Sequence, residues 1–406
     1  MKKQWLLVGL ILGVLYILQS VLLYQGFTYQ HTGANDFFSR WYGARALLLQ
    51  GRDPYALDVA YEVLPLLSFP PEEVSRGGFA YPLPVLFTFW PLAYLPYEWA
   101  QAFWMTALQW ITIALVLSSL RLEQWRPKPL GLVAIVLGTL LFYPVARTIL
   151  LGQFTLHITL FILLTLLALQ RGNDAWAGVA LAATVIKPQM VIVVAPWLLL
   201  WTLAQRRWRF LGGLLFAGGA LLLSSMMLFP RWPLSFIEDL QRYAEVAGGR
   251  SPLLVLSTAL WPGGAELLST FLAGLLVLAM LAAWWRGVRQ RESVGAVERA
   301  LYWTLLVSLL IPFQTGTTNQ AMLLIPLLSW LRQAWEHGWR VPAILAALAL
   351  LVLPWLFFLN TVIGIRENDF MFVLIPLACL VILVGIEIYD GQRRVQQNTN
   401  PKGGAR

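Results

Sequence analysis

The chain alternates between long apolar runs and short segments rich in Lys, Arg and Pro. A helix needs about 20 apolar residues to cross the hydrocarbon of a membrane. The first such run extends from Trp5 to Tyr24. Further runs lie near residues 81–95 (a short one), 97–120, 129–149, 153–170, 174–187, 189–204, 208–229, 265–285, 298–313, 320–334, 342–360 and 370–388. This pattern predicts an all-α, polytopic integral membrane protein with about 11–13 transmembrane helices.

Composition supports this class and excludes several others. Of the 406 residues, 59% are hydrophobic and 12% are charged, whereas soluble domains are about 45–50% apolar and about 25% charged. A single Cys and 3 His exclude a disulfide scaffold and a Cys-based metal protein. The net charge of +9 comes from basic clusters between apolar runs, which is typical of topology determinants and does not indicate a nucleic-acid partner.

The distribution of Lys and Arg predicts the orientation of the chain in the plasma membrane. Lys and Arg accumulate on cytoplasmic loops, so Lys2 and Lys3 place the N-terminus inside. The long polar stretch over residues 25–80 then faces outward as the first extracytoplasmic loop. We predict one membrane domain over residues 1–390, followed by a disordered cytoplasmic tail over 391–406. The short run at 81–95 contains three prolines, and we expect it to be re-entrant because a full span would place a basic loop outside.

The first outward loop contains an amphipathic pattern over residues 35–51. Phe37, Trp41, Ala44 and Leu48 recur at helical spacing, and Asn35 or Asp36 would cap the helix. Arg40 lies four residues after Asp36, so the two side chains share a face. Spacing alone favours an ordinary cap with a surface ion pair, and a functional pair is the alternative.

Two cations lie inside apolar runs, each next to a proline. Arg147 follows Tyr143-Pro144, and Lys187 precedes Pro188. A cation at membrane depth costs roughly 2.5–3.5 kcal/mol or more, so it usually faces a cavity and has a partner. Without a carboxylate in the same runs, the pair points to an anionic ligand such as a phosphate. Snorkelling side chains at helix ends remain the alternative.

Polar residues elsewhere give weaker signals. Tyr81 lies where an aromatic belt would meet water. The turn from Ile311 to Gln320 carries amides, including Asn319 and Gln320, that could bind sugar hydroxyls or simply be solvated. Neither a metal-ligand spacing nor a nucleotide-binding loop occurs, so we expect no metal and no cofactor. The open alternatives are a transporter or lipid flippase, and a polysaccharide ligase or polymerase that uses lipid-diphosphate donors.

Several short motifs occur in an order that resembles glycosyltransferase family 87, the DUF2029 membrane proteins. In chain order the motifs are Asp36-Phe37, Trp41-Tyr42, Gly51 to Tyr55, Tyr81 to Pro84, Pro91 to Ala93, Leu95-Pro96, Gly152-Gln153, Ala177-Gly178, Lys187-Pro188 and the basic loop Arg206 to Arg209. The resemblance covers roughly residues 30–210. Family members often carry paired His in a late outward turn, whereas this chain has none at the comparable place, Pro312 to Gln320.

The resemblance implies a GT-C fold and an activity. The family includes polyprenol-phosphate-mannose-dependent α-mannosyltransferases, so it implies transfer of a hexose, mannose in the first place, from a polyprenyl-phosphate donor to a lipid or glycan acceptor on the outer face. Asp36 matches the base, and Arg147, Lys187 and Arg40 are candidates for holding the donor phosphate. Candidates for binding the substrate are Asn35, Tyr81, Gln153, Asn319 and Gln320. Membrane lipids are the remaining expected partner.

Overall fold

A computed structural model describes residues 2–31, 35–67, 77–246, 249–290, 294–312, 316–364 and 366–399. The chain divides into two compact units, Met1–Gly249 and Arg250–Arg406, and each is described by itself. The single domain over residues 1–390 stays a prediction.

The first unit is built from helices α1 to α11. They are α1 (Lys2–Leu23), α2 (Asn35–Gln50), α3 (Leu57–Val63), α4 (Tyr97–Leu122), α5 (Pro129–Leu141), α6 (Tyr143–Leu151), α7 (Thr155–Gln170), α8 (Asp174–Ala182), α9 (Val194–Ala204), α10 (Trp208–Leu228) and α11 (Trp232–Val246). A π-helical turn, Tyr24–Thr28, continues α1. Short 3₁₀ helices cover Leu64–Leu67, Leu83–Thr88, Trp90–Tyr94, Ala183–Ile186 and Pro188–Met190.

The second unit continues with helices α12 to α17. They are α12 (Pro252–Leu260), α13 (Ala265–Arg289), α14 (Val294–Leu310), α15 (Leu324–Glu336), α16 (Arg340–Thr361) and α17 (Met371–Thr399). Two 3₁₀ helices, Pro262–Gly264 and Thr317–Leu323, precede α13 and α15. Helix α17 extends into the predicted tail as far as Thr399, and residues 400–406 lie outside the described residues.

The predicted all-α, polytopic membrane class is confirmed. Among the described residues, six helical stretches are long and apolar enough to cross a membrane: Gln4–Thr28, Tyr97–Leu122, Trp208–Leu228, Pro262–Arg289, Arg340–Thr361 and Met371–Tyr389. A seventh span would be the pair α5 and α6, which bends by 58° between Leu141 and Tyr143. Three further apolar helices are shorter: Thr155–Gln170, Asp174–Ile186 and Val194–Ala204.

Besides these six or seven stretches of spanning length, the other apolar runs among the predicted 11–13 form shorter helices in the described residues. The runs at 174–187 and 189–204 are separated at Lys187-Pro188, where proline ends the preceding helix. The proline-bearing segment at 81–95 forms two 3₁₀ helices of 6 and 5 residues rather than a continuous helix. This segment is tied to α2, since Trp41 Nε1 donates to the Leu92 carbonyl at 3.0 Å and Arg45 donates to the Ala93 carbonyl at 2.8 Å.

Helices α8 and α10 approach each other closely through two glycines. A Cβ atom added to Gly178 would overlap the backbone of Phe210, and one added to Gly213 would overlap the carbonyl of Ala175. Small residues allow helix backbones in a membrane to pack at short range. The pair fixes α8, and through α8 the 3₁₀ segment that leads to Lys187.

Candidate functional site

Helix α2 confirms the amphipathic helix predicted for the first loop. Phe37 and Ala44 are fully buried on its apolar face. The Phe37 ring stacks on Trp104 of α4 with centroids 4.9 Å apart, and it meets Phe89 edge-on at 5.3 Å. This packing fixes the rotation of α2 about its axis. It therefore also fixes the directions in which Asp36 and Arg40 point.

A tight turn between α6 and α7 carries Gln153. Gly152 ends α6 in the left-handed conformation, with φ 71°, which glycine adopts without steric cost. Trp104 Nε1 donates to the Gly152 carbonyl at 2.9 Å, and the Gln153 backbone donates to the Thr148 carbonyl at 2.9 Å. The side chain of Gln153 is therefore presented by a backbone that is held on both sides.

Gln153 connects three of the predicted site residues. Its Nε2 donates to Oδ2 of Asp36 at 2.8 Å. Its Oε1 accepts from the Tyr81 hydroxyl at 2.7 Å and from Nζ of Lys187 at 2.8 Å. One side-chain amide thus has a carboxylate at its donor end, and an ammonium and a phenol at its acceptor end.

Lys187 is 3% exposed and lies where the backbone leaves helical geometry. The 3₁₀ helix Ala183–Ile186 ends at Lys187, whose φ and ψ are −144° and 72°, and Pro188 begins the next 3₁₀ helix. Besides Gln153, Nζ donates to Oγ1 of Thr155 at 3.1 Å. Thr155 has no functional signal in the sequence, because a threonine at a helix start is most simply a cap.

Arg40 completes the cluster from the α2 side. It is 8% exposed, and its guanidinium lies over the Tyr81 ring at 4.6 Å from the centroid, a cation–π geometry. One terminal nitrogen donates to the backbone carbonyl of Asp36 at 2.9 Å. Its buried Nε has no hydrogen-bond partner among the described residues. Arg40 is therefore fixed in place while one donor stays available.

Helix α11 packs against the segments that carry Tyr55 and Tyr81, a role that was not predicted from the sequence. Asp239 accepts from the Ala80 backbone N–H at 2.9 Å, and Arg242 donates to the Tyr55 carbonyl at 2.8 Å. Ser235 donates to Oδ2 of Asp53 at 2.8 Å. The signal was present, because these three α11 residues recur at intervals of four and three and so share one helix face, but the segment lies between apolar runs and carries no motif.

Burial raises the pKa of Asp239, an effect that the Ala80 N–H and Arg242 oppose. Tyr55 is buried beside it, and its hydroxyl donates to the Tyr81 carbonyl at 2.7 Å. Burial, followed by the charges of Asp239 and Asp53, raises the pKa of the Tyr55 phenol. This hydroxyl stays protonated near neutral pH and keeps its role as a donor.

The remaining candidates lie elsewhere. Arg147 is half-buried on α6, the helix that leads into Gln153. Asn35 begins α2, but its side chain lies outside the described ones. Asn319 and Gln320 are buried in the second unit, where Nε2 of Gln320 donates to the Met371 carbonyl at 3.0 Å. Their functional roles stay predictions.

Within the described residues, no group of three or more His, Cys, Asp and Glu could hold a metal ion. What the first unit does bring together is one carboxylate, Asp36, with two buried cations, Arg40 and Lys187, which lie 4.6 and 6.0 Å from the centroid of the Tyr81 ring. A carboxylate can take a proton from a hydroxyl, and fixed cations stabilise an anionic leaving group. The cluster thus combines a group that can accept a proton with groups that can bind an anion.

The fold and the cluster therefore define a polytopic membrane protein with a polar site in its first unit. The profile of glycosyltransferase family 87 matches residues 79–312, more than half of the chain, and the protein belongs to this family. It is thus a membrane glycosyltransferase. The matched range includes Tyr81, Gln153 and Lys187, begins after Asp36 and Arg40, and ends before Asn319. Neither the curated proteins nor the solved structures gave a significant match.

Proposed function

We propose that this glycosyltransferase moves a hexose from a polyprenyl-phosphate donor to a lipid or glycan acceptor, with mannose as the proposed hexose and Asp36 as the general base. The observation that carries the proposal is the hydrogen-bonded chain from Asp36 through Gln153 to Lys187. It holds a carboxylate and a buried cation in one site. The GT-C fold and an active site on the outer face of the plasma membrane are part of the proposal.

The proposed reaction is a single inverting displacement. The acceptor oxygen attacks the anomeric carbon, the bond from that carbon to the phosphate oxygen breaks, and the phosphate leaves with the bonding electrons. Asp36 takes the proton of the acceptor hydroxyl. Its carboxylate is half-buried, and the amide of Gln153 holds one oxygen, so the other can face the acceptor. A β-linked donor would give an α-glycoside.

Lys187 and Arg40 are the proposed partners of the donor phosphate. Burying a cation is costly unless an anion or hydrogen bonds compensate, and both side chains are less than a tenth exposed. Lys187 supplies a compact charge, whereas Arg40 offers the buried Nε donor. Because a monophosphate leaves as a stable anion, cations that hold its charge suffice and a general acid is unnecessary. Arg147 is a third candidate on α6.

The primary test is transfer of radiolabel from polyprenyl-phosphate-mannose to endogenous membrane lipids. We expect a labelled product with the wild type and a loss of turnover on the order of a hundredfold or more with Asp36→Asn. Asp58→Asn is the matched control, since Asp58 lies in the same loop and is two-thirds exposed. Near-normal turnover in Asp36→Asn, with Asp58→Asn also active, would remove Asp36 as the base.

A donor panel tests the rest. Lys187→Met and Arg40→Met should raise the donor concentration needed for half-maximal rate, and unchanged kinetics would make both residues structural anchors. Lipid-diphosphate sugars should not replace lipid-monophosphate sugars. If the folded wild type transfers only from a diphosphate donor, the proposed donor class is wrong, whereas transfer from another lipid-monophosphate hexose would change only the sugar.

A further inference from the structure

A buried carboxylate on α11 reaches the backbone directly before Tyr81. Asp239 is 2% exposed, and its Oδ2 accepts from the Ala80 N–H at 2.9 Å although the two residues are 159 positions apart in the chain. Hydrogen bonds to an ionised acceptor are among the stronger ones in proteins. The contact therefore holds the backbone N–H of Ala80, directly before Tyr81.

The backbone at Ala80 has an unusual conformation. Ala80 has φ 52°, in the left-handed region, where a side chain with a Cβ is sterically disfavoured. The residue after it is Tyr81, whose hydroxyl donates to Gln153, and Gln153 in turn donates to Asp36. A change of backbone at Ala80 would turn the Tyr81 ring away from this chain of hydrogen bonds.

Anchoring of α11 does not account for the contact. Ser235 already binds Asp53, and Arg242 already binds the Tyr55 carbonyl, so the helix is held to the loop at two other points. The second oxygen of Asp239 accepts from Arg242 at 3.3 Å. The first oxygen of Asp239 is thus directed at the Ala80 amide and is not needed to attach α11 to the loop.

We infer that Asp239 is a positioning residue, which holds Ala80 in the left-handed conformation and thereby orients Tyr81 and Gln153 against Asp36. The inference rests on the proposed role of Asp36. It assigns α11 a part in turnover, in which Asp239 acts on the geometry of the base through Ala80, Tyr81 and Gln153.

The test compares kcat and donor KM in the transfer assay. Asp239→Ala should lower kcat on the order of tenfold and change KM little, while Asp239→Asn, which keeps an oxygen acceptor, should retain most of the rate. Adding Ala80→Gly should restore most of the kcat lost in Asp239→Ala, because glycine adopts positive φ without cost. Ser235→Ala is the control on the same helix, and its effect should not respond to Ala80→Gly.

Two further measurements test the conformation and the hydrogen bond of Ala80 directly. Ala80→Val, which leaves α11 intact, should lower kcat because a β-branched residue disfavours positive φ. Hydrogen exchange of the Ala80 amide should be at least tenfold faster in Asp239→Ala, with or without donor. Unchanged exchange, a normal kcat in Asp239→Ala and Ala80→Val, or a loss that Ala80→Gly does not relieve would each overturn the inference. An active Asp36→Asn would instead defeat the proposed base.

Discussion

Gln153 donates to the carboxylate of Asp36 at 2.8 Å, although the two residues are 117 positions apart in the chain. The same amide accepts from Lys187 at 2.8 Å. A glutamine amide has distinct donor and acceptor ends, and here the negative group meets the donor end while the positive group meets the acceptor end. Gln153 is thus oriented by its neighbours, and it orients Asp36 in return.

Gln153→Glu should lower turnover on the order of tenfold to a hundredfold, which is the effect of losing one hydrogen bond to a charged group. The carboxylate of Glu cannot donate to Asp36, and it places a like charge beside the base. The measurement is kcat in the transfer assay. Gln170→Glu is the control, because the side chain of Gln170 donates to a backbone carbonyl, that of Leu122, at 3.0 Å. Equal activities of the two variants would contradict the role of the amide.

Tyr81→Phe should have a milder effect, a reduction of about two- to tenfold in kcat, since it removes one neutral hydrogen bond and keeps the ring under Arg40. Tyr81→Leu should also raise donor KM, because Arg40 then loses its cation–π contact at 4.6 Å. Tyr16→Phe, which loses a bond to the Phe103 carbonyl, serves as the control. A Tyr81→Phe enzyme as impaired as Tyr81→Leu would show that the hydroxyl, and not the ring, is the essential part.

Gly213→Ala should lower the free energy of unfolding by about 1–3 kcal/mol, because the added methyl group overlaps the Ala175 carbonyl and forces α8 and α10 apart. Gly212→Ala is the matched control one residue earlier in the same helix, where the described residues place no atom of another element within 4 Å of the added Cβ. Thermal unfolding in detergent measures both. Equal melting temperatures for the two variants would disprove the close approach of these helices.

The exposed ion pairs of Arg52 should make stability depend on pH. Hydrogen bonds from Arg52 lower the pKa of Glu62 and of Asp58 in the folded state, and Tyr42 adds to the effect on Glu62. An acid with a lowered folded pKa stabilises the fold above its unfolded pKa, and this contribution is lost as pH falls through the folded value.

Arg52→Met should therefore lower the melting temperature slightly at pH 7, and the difference from wild type should vanish well below about pH 4, the range of free carboxyls. The effect is small because exposed pairs are screened by solvent. Arg126→Met, at an exposed arginine without an ion pair among the described residues, should show no such convergence. A difference that is constant with pH would point to packing of the Arg52 stem.

Cysteine labelling tests the predicted orientation. Tyr61→Cys, at a position of α3 that is 52% exposed, should react with a membrane-impermeant maleimide from outside. Arg209→Cys, at the exposed start of α10, should react only after the membrane is permeabilised. The natural Cys379 is 4% exposed and contributes little background. The reverse pattern would place the Asp36 loop inside.

Local patterns in the sequence were sufficient for several features. The apolar spacing around Phe37 predicted α2, and the proline after Lys187 marked the break that carries the buried cation. These signals depend on residues close together in the chain. Apolar runs located the helices but not every break within them, since the run at 129–149 divides into α5 and α6 at a bend of 58°.

Contacts across the chain could not be predicted in the same way. Nothing local indicates that Gln153 meets Asp36, or that Asp239 captures the amide of Ala80. The left-handed Ala80 has no sequence signal either, because an alanine is not expected at positive φ. Such positions depend on tertiary contacts that outweigh local preference.

The turn at Gly152 has a consequence for the range of ligands. Trp104 and Thr148 hold this turn, so the backbone that presents Gln153 is fixed. The amide of Gln153 lies between Asp36 and Lys187. Its length therefore sets the distance between the negative charge of Asp36 and the positive charge of Lys187. Under the proposed function, a substrate would fit only when the spacing of its hydroxyl and its anionic group matches this separation. A change of specificity would then have to come from the residues that surround these three side chains, because the turn at Gly152 holds Gln153 between the two charges.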